Sequence, residues 1–326
     1  MSHPDPSVPQ SARAVFRSLN ADRVTAEVVD AFQTAGIRSI LLKGPAFSSW
    51  LYEKEAERPY VDCDLLVAPA DFDRAEAVLA DLHFRRPGLD ALERDWGKHA
   101  RTWIREEDGG NVDLHHTFIG VGATPETLWG VLCDETDPLR VAGRDVDSLG
   151  EPGRVLLIAL NAAKEASWVA KARTDLEQAL GRVSPEMWLR AAQLAGRLDA
   201  VGAFTAGLRT SPEGASLAAR LGVAAPPPPE IALRLGDRIP PLAAGVNWLV
   251  STPGLRGKLG IVVRKVFPPA SFMRAWSPLA RRGLPGLAAA YLWRPLWLAW
   301  HALPALLAVA RVRRSRRRSA RNRRSA

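Results

Sequence analysis

Arg58-Pro-Tyr-Val-Asp-Cys-Asp-Leu-Leu-Val67 is the stretch from which the rest of the chain is read. Residues two apart on a strand point to the same face. A strand over 60–67 therefore puts Val61, Cys63, Leu65 and Val67 on a buried side and sets Asp62 and Asp64 together on the other. Two carboxylates crowded on one face repel each other unless a cation lies between them. A hard divalent ion, Mg²⁺ or Mn²⁺, is expected, because it takes oxygen ligands and carries substrate phosphates. A lone Asp-x-Asp is a weak motif, frequent in surface loops, so the reading depends on its neighbours.

Asn111-Val-Asp-Leu-His-His-Thr-Phe118 alternates in the same way. Val112, Leu114, His116 and Phe118 form its apolar side; Asn111, Asp113, His115 and Thr117 form its polar side. If this strand lies beside the first, Asp113 completes a set of three carboxylates suited to two-metal phosphoryl transfer. The competing reading is a pair of edge strands with solvated acids, which leaves the shared face of the acids unexplained. His115 either contacts substrate or hydrogen-bonds a neighbouring acid.

Upstream, Ile40-Leu-Leu-Lys-Gly-Pro-Ala-Phe47 reads as a buried strand that breaks at Gly44 and opens a helix, with Pro45 in its first turn. A glycine at a strand-to-helix turn lets phosphate approach backbone N–H groups, with Lys43 beside it. Alone, Lys-Gly-Pro is an ordinary turn. Its value lies in the order: glycine turn, helix, Asp-x-Asp strand, helix, third Asp strand.

With this order the chain resembles the DNA polymerase beta-type nucleotidyltransferase superfamily, and more closely a bacterial family of uncharacterised nucleotidyltransferases. The matching residues are Leu42-Lys43-Gly44 with Ala46, Tyr52, Arg58, Asp62-Cys63-Asp64-Leu65-Leu66-Val67 and Val112-Asp113-Leu114-His115, with Ala162-Ala163-Lys164 and Asp175-Leu176 beyond. The resemblance covers roughly residues 36–180. It implies that Asp62, Asp64 and Asp113 bind metal and that Lys43, Gly44 and Arg58 serve a triphosphate. Arg58 can also simply fix the start of its strand by a salt bridge. The chain departs from the pattern at Pro45, where the superfamily has serine, and in the longer gap from Gly44 to Asp62. Asn161 and Glu165 stand where relatives often carry histidine.

The 326 residues are 47% hydrophobic and 24% charged, enough for two globular domains. Cys63 and Cys133 are the only cysteines, with neither zinc nor disulfide spacing, which predicts a reducing cytoplasm. Residues 1–10 carry no signal-peptide pattern. The net charge is +9, and Arg311–Ala326 holds nine arginines and no acid, so the remainder reads as neutral. Such a tail predicts disorder, with attraction to anionic lipid or a merely solubilising role; nucleic acid is the weaker expectation, since the body has no basic stripe with interleaved aromatics.

The expected class is α+β: a small mixed β-sheet nucleotidyltransferase core, polymerase beta-like, with helices on one face, followed by a helical C-terminal region. An N-terminal helix fills 1–35, the nucleotidyltransferase-like domain 36–149, and a helical domain 150–225. A Pro-rich connector and an apolar Trp-rich segment follow over 226–310, then the disordered Arg-rich tail over 311–326. Val15, Phe16, Leu19, Val24, Val28 and Phe32 give the first helix its apolar positions. A helix after Pro69 is built on Phe72, Ala75, Leu79 and Leu82, and strand 98–105 turns through Asp108-Gly-Gly-Asn111 into the Asp113 strand. His99 reads as structural, and Trp96 and Trp103 as core in preference to base stacking. Leu284–Ala310 is long enough to cross a bilayer, but Pro295, Pro304 and Arg294 interrupt it, so a packed or interfacial helix fits better. The expected activity is metal-dependent transfer of a nucleoside monophosphate from an NTP to an unknown acceptor. The alternative is a catalytically inactive nucleotide-binding or regulatory module. Either would act in the cytoplasm, with peripheral attachment to the inner face of the membrane through the Trp-rich segment and the tail.

Overall fold

The computed structural model describes residues 10–87, 99–164, 170–235, 240, 242–252 and 254–322. The chain divides into two compact units between Ala225 and Pro226.

The first unit is built on helix α1 (Gln10–Thr34), strand β1 (Ser39–Leu41), helix α2 (Pro45–Leu51), strand β2 (Cys63–Val67), helix α3 (Phe72–Asp81), strands β3 (Ala100–Arg105) and β4 (Gly110–His115), helix α4 (Pro125–Leu132), and strands β5 (Thr136–Val141) and β6 (Arg144–Leu149). The six strands form one mixed sheet in the order β3-β4-β2-β1-β6-β5. β2 runs parallel to β4 and β1 parallel to β6; the other neighbours are antiparallel. The class is α+β, as the sequence predicts.

The core on one sheet face joins Val24, Val28 and Phe32 of α1 to Phe72, Ala75 and Leu79 of α3, over Cys63, Leu65, Val67, Val112 and Leu114. Trp103 belongs to this core, while Trp96 lies outside the described residues. His116, expected on the apolar side, packs its ring edge-on to Phe72. Two expectations change. Val61 is 49% exposed, because β2 begins only at Cys63: β1 is three residues long and offers nothing for Val61 to pair with. Phe16 and Leu19 are 72% and 62% exposed, so the buried stripe of α1 starts at Ala21. The β5–β6 hairpin turns through Ala142 and Gly143, both at positive φ. Its sequence signal is faint, because alanine stands where Asn or Asp usually announces such a turn and Pro138 interrupts the strand.

Helices α5 (Glu151–Lys164), α6 (Ala170–Arg182), α7 (Pro185–Arg197), α8 (Val201–Leu208) and α9 (Pro212–Arg220) complete this unit. Helix α5 is buried on most sides and reaches the carboxylate side of the sheet, where Leu157, Leu160, Asn161 and Lys164 share a small cavity with Lys43 and His115. Helices therefore flank both sheet faces, not one. Gly207 lets α8 press against α5: a Cβ there would stand 1.8 Å from the Ala159 carbonyl oxygen.

The second unit holds α10 (Pro229–Arg234), α11 (Ala243–Ser251), α12 (Leu255–Val266), α13 (Ala270–Trp276) and α14 (Gly283–Asn322). Leu233, Ala243, Val246, Ala305 and Val309 form one small core and Met273, Ala280 and Ala290 another. Residues 311–322 of the tail, for which the sequence predicts disorder over 311–326, continue α14, and residues 323–326 lie outside the described residues. Extending a formed helix adds a hydrogen bond per residue without a new nucleus, and Ala and Arg favour it. Pro295 and Pro304 lie inside this helix without ending it. The positive charge is also wider than the tail: of 44 Lys and Arg, 18 lie beyond Asp237, where there is no Asp or Glu. Residues 1–310 are neutral, with 35 cations against 35 acids, but unevenly so: 1–237 hold 26 cations and all 35 acids, and 238–310 hold nine cations and no acid.

Candidate active site

Parallel pairing of β2 with β4 sets Asp64 directly opposite Asp113. His115 follows two residues later on the same face of β4. Ligand atoms of Asp64, Asp113 and His115 lie within 4.8 Å of one another. Asp62, expected in the same group, stands just before β2, half-buried, on the wall of the adjoining cavity.

Asp64 is 2% exposed. Its Oδ1 lies 3.0 Å from Lys43 Nζ and 2.9 Å from His115 Nε2. Burial disfavours its charge, but Lys43 and His115 outweigh burial and hold the Asp64 carboxyl well below the usual range. Lys43 answers in kind: burial opposes its charge, yet Asp64, Asp62 and Asp113 keep its pKa above the ordinary lysine value. Asp62 moves the other way. Burial, then the Asp64 charge, push its pKa up against the opposing pull of Lys43. Asp113 Oδ1 accepts a 2.6 Å hydrogen bond from Thr102 Oγ1, its register partner on β3. His115 thus makes the acid contact that its sequence position allowed, and its buried Nδ1 has no hydrogen-bond partner among the described residues.

Gly44 caps α2 at φ +64°, a conformation that strains any residue with a Cβ, and a Cβ there would approach Tyr60 Cδ2 to 3.3 Å. Its carbonyl receives the Phe47 and Ser48 N–H groups. Pro45, in place of serine, supplies the first helical position and no hydroxyl.

Arg58 is 5% exposed and bidentate to Asp175 of α6, at 2.7 and 2.8 Å. The same carboxylate accepts from Tyr52 Oη at 2.7 Å. Arg58 stacks over Phe47, and its remaining terminal nitrogen, buried, has no hydrogen-bond partner among the described residues. The salt-bridge role foreseen for Arg58 is therefore present, with a partner 117 residues away. Lys171, also on α6, was not singled out by its sequence. It donates to the Pro59 carbonyl at 2.7 Å, and burial, then Arg58, lower its pKa. An isolated lysine on a polar helix carries no local signal of such a place. Glu165 lies outside the described residues.

Lys43, Gly44, Arg58, Tyr60, Asp62, Asp64, Asn161, Lys171 and Asp175 enclose a cavity of about 110 Å³. The carboxylates of Asp62 and Asp64 share this lining with the cationic groups of Lys43, Arg58 and Lys171, of which Lys43 is paired with Asp64 and Arg58 with Asp175. The donor set of Asp64, Asp113 and His115 can hold a cation, and carboxylate oxygens from two adjacent strands suit a hard divalent ion.

No curated protein matches the chain significantly. Among solved structures, the antibiotic-resistance factor ANT(2'')-Ia is similar at 14% identity and a TM-score of 0.39, over 55% of this chain and 94% of that one. An antigenic nucleotidyltransferase-like protein from Paracoccidioides brasiliensis is similar at 14% identity and a TM-score of 0.34, over 57% of this chain and 93% of that one. The family model of uncharacterised nucleotidyltransferases matches residues 9–211, which contain every residue of the cavity, and the chain belongs to that nucleotidyltransferase family.

Proposed function

We propose that this enzyme transfers a nucleoside monophosphate from an NTP to a hydroxyl or phosphate acceptor, with Mg²⁺ or Mn²⁺ held by Asp62, Asp64 and Asp113. The observation that carries the reading is the register pairing of Asp64 with Asp113 beside a cavity lined by Lys43, Arg58 and Lys171. The acceptor oxygen attacks the α-phosphorus, the bond from that phosphorus to the bridging oxygen breaks, and the electron pair leaves on pyrophosphate. When bound, the metal polarises the phosphoryl oxygens and neutralises charge on the leaving group. Asp113 takes the acceptor proton, with Thr102 fixing one of its oxygens and leaving the other for that work. Lys43 and Lys171 balance triphosphate charge. His115 fixes the orientation of Asp64 through their 2.9 Å contact.

The test is metal-dependent labelling of small-molecule or lysate acceptors from α-³²P nucleotides, paired with calorimetry of NTP binding. Absence of both labelling and binding with Mg²⁺ and with Mn²⁺ overturns the proposal. A second reading, nucleotide binding without chemistry, is favoured by the Lys43–Asp64 ion pair, which already satisfies one metal-facing carboxylate, and by Pro45. Tight Mg-NTP binding without pyrophosphate release, and unchanged cellular function on Asp113→Ala, would select it.

A further inference from the structure

Helix α14 has two unlike sides. Ala290, Arg294, Ala305 and Val309 are 0–4% exposed and fall within an arc of about 100°. Leu292, Trp293, Leu296, Trp300, Leu303 and Leu307 occupy another arc of about 100° and are 48–79% exposed. A six-residue stripe of leucine and tryptophan facing solvent is larger than the scattered apolar residues of an ordinary surface.

Two features say what covers it. The only Lys or Arg between Leu284 and Ala310 is Arg294, and it is withdrawn from that side. Its guanidinium lies 4.7 Å from both the Phe272 and Trp276 ring centroids, and its Nε donates to the Lys265 carbonyl at 2.7 Å. The stripe therefore presents no charge, while the same helix continues into arginines from Arg311 onward. Helix α12 repeats the pattern on a smaller scale: Leu255, Leu259 and Val263 are exposed beside the exposed Arg256 and Arg264. No acid lies anywhere beyond Asp237. An uncharged leucine and tryptophan stripe bordered only by cations complements an anionic lipid surface, with apolar side chains entering the acyl boundary and arginines at the phosphates. A second copy of the same stripe would bring two strongly cationic units together, which disfavours self-association there.

We propose that the Leu292–Leu307 stripe of α14 seats this chain on an anionic bilayer as a surface-lying helix, its packed side remaining on the protein. The helix is long and apolar enough by composition to cross a bilayer, but Arg294 near its middle and the packed side with Ala290 and Val309 hold it against its own unit, which fits a surface-lying helix better than a crossing one.

The test is flotation of the full chain with vesicles of phosphatidylcholine alone and of phosphatidylcholine with one third phosphatidylglycerol. Binding to the anionic vesicles at low salt, at least about tenfold tighter than to neutral ones, is expected. Trp300→Glu and Leu303→Glu should each weaken it by about tenfold or more while the circular dichroism and melting temperature stay unchanged. Arg311→Gln with Arg314→Gln should weaken it by about fivefold or more and flatten its salt dependence. Failure to float with anionic vesicles, retention on RNA in its place, or a shift to dimer without flotation overturns the proposal. A melting temperature lowered by the glutamate variants, marking the stripe as buried in the native protein, does so too. Resistance to alkaline carbonate extraction would overturn the surface-lying geometry.

Discussion

Lys43 Nζ lies 3.0 Å from Asp64 Oδ1, and the two side chains are 19% and 2% exposed. Removing one partner of such a pair leaves the other charge uncompensated in the interior. Lys43→Met is therefore expected to cost about 3 kcal/mol in urea unfolding. Adding Asp64→Leu should recover at least half of that loss, because the orphaned charge disappears with it. A loss below about 1 kcal/mol in the single variant would mean that His115 alone suffices for Asp64.

Asp62 behaves in the opposite sense. Its folded pKa is raised, so the folded state holds its proton more tightly than the unfolded chain. The stability this provides is present at low pH and is lost as pH rises through the folded value, which leaves ionised Asp62 as a burden at neutral pH. Asp62→Asn should hold or raise the melting temperature at pH 7, with the gain fading as pH falls towards 3.8, the ordinary aspartate value. Mg²⁺ should raise the melting temperature of the wild type and raise it less in this variant. A large destabilisation at pH 7 would make Asp62 a structural residue.

Arg58 and Lys171 line one cavity but are held differently. Arg58 is fixed in a buried fork on Asp175, so Arg58→Lys should cost about 3 kcal/mol and reduce activity along with stability. Lys171 has one hydrogen bond to a backbone carbonyl and a desolvated ammonium. Lys171→Met should change stability by less than about 1 kcal/mol yet weaken Mg-NTP binding about tenfold, read by calorimetry. Equal losses of stability in the two variants would contradict this division of roles.

Asp108 sets an acid limit on the fold. Although burial opposes its charge, hydrogen bonds from Arg105, the Gly110 N–H and Arg23 lower its pKa from 3.8 to about 2. A depressed carboxyl pKa gives stability that is present above the unfolded value and lost as pH falls through the folded one. Unfolding free energy should therefore fall between about pH 4 and pH 2, and Asp108→Asn should flatten that slope. Persistence of the full slope in the variant would assign the acid transition to other carboxylates, Asp64 foremost.

Much of the site was legible in the chain. Alternation over Cys63–Val67 and over Asn111–His115 is a local property, because successive side chains on a strand must point to opposite faces. Asp64 and Asp113 were read from it without knowledge of their neighbours. Gly44 was legible for a similar reason, since a strand that turns into a helix at Gly-Pro needs the left-handed backbone that glycine alone adopts freely. What alternation does not state is where a strand begins. Val61 obeys the pattern yet is exposed, because pairing partners end at Cys63.

Lys171 and Asp175 were illegible as site residues for a different reason. They sit on a helix of ordinary polarity, and their place at the cavity follows from how α6 packs. The neutral balance of residues 1–310 conceals a second asymmetry, because the nine cations of 238–310 have no acid among them.

By itself, then, the sequence determined which residues share a face and where the backbone must turn, because bond geometry and side-chain direction act between near neighbours. The tertiary structure alone decided which face is covered, which charge answers which, and so which carboxylate is held ionised. Lys43 and Asp64 are 21 positions apart, Asp64 and His115 51, Arg58 and Asp175 117. Electrostatic compensation in a buried site depends on distance through space and on exclusion of water, and neither is encoded in the spacing of residues along the chain.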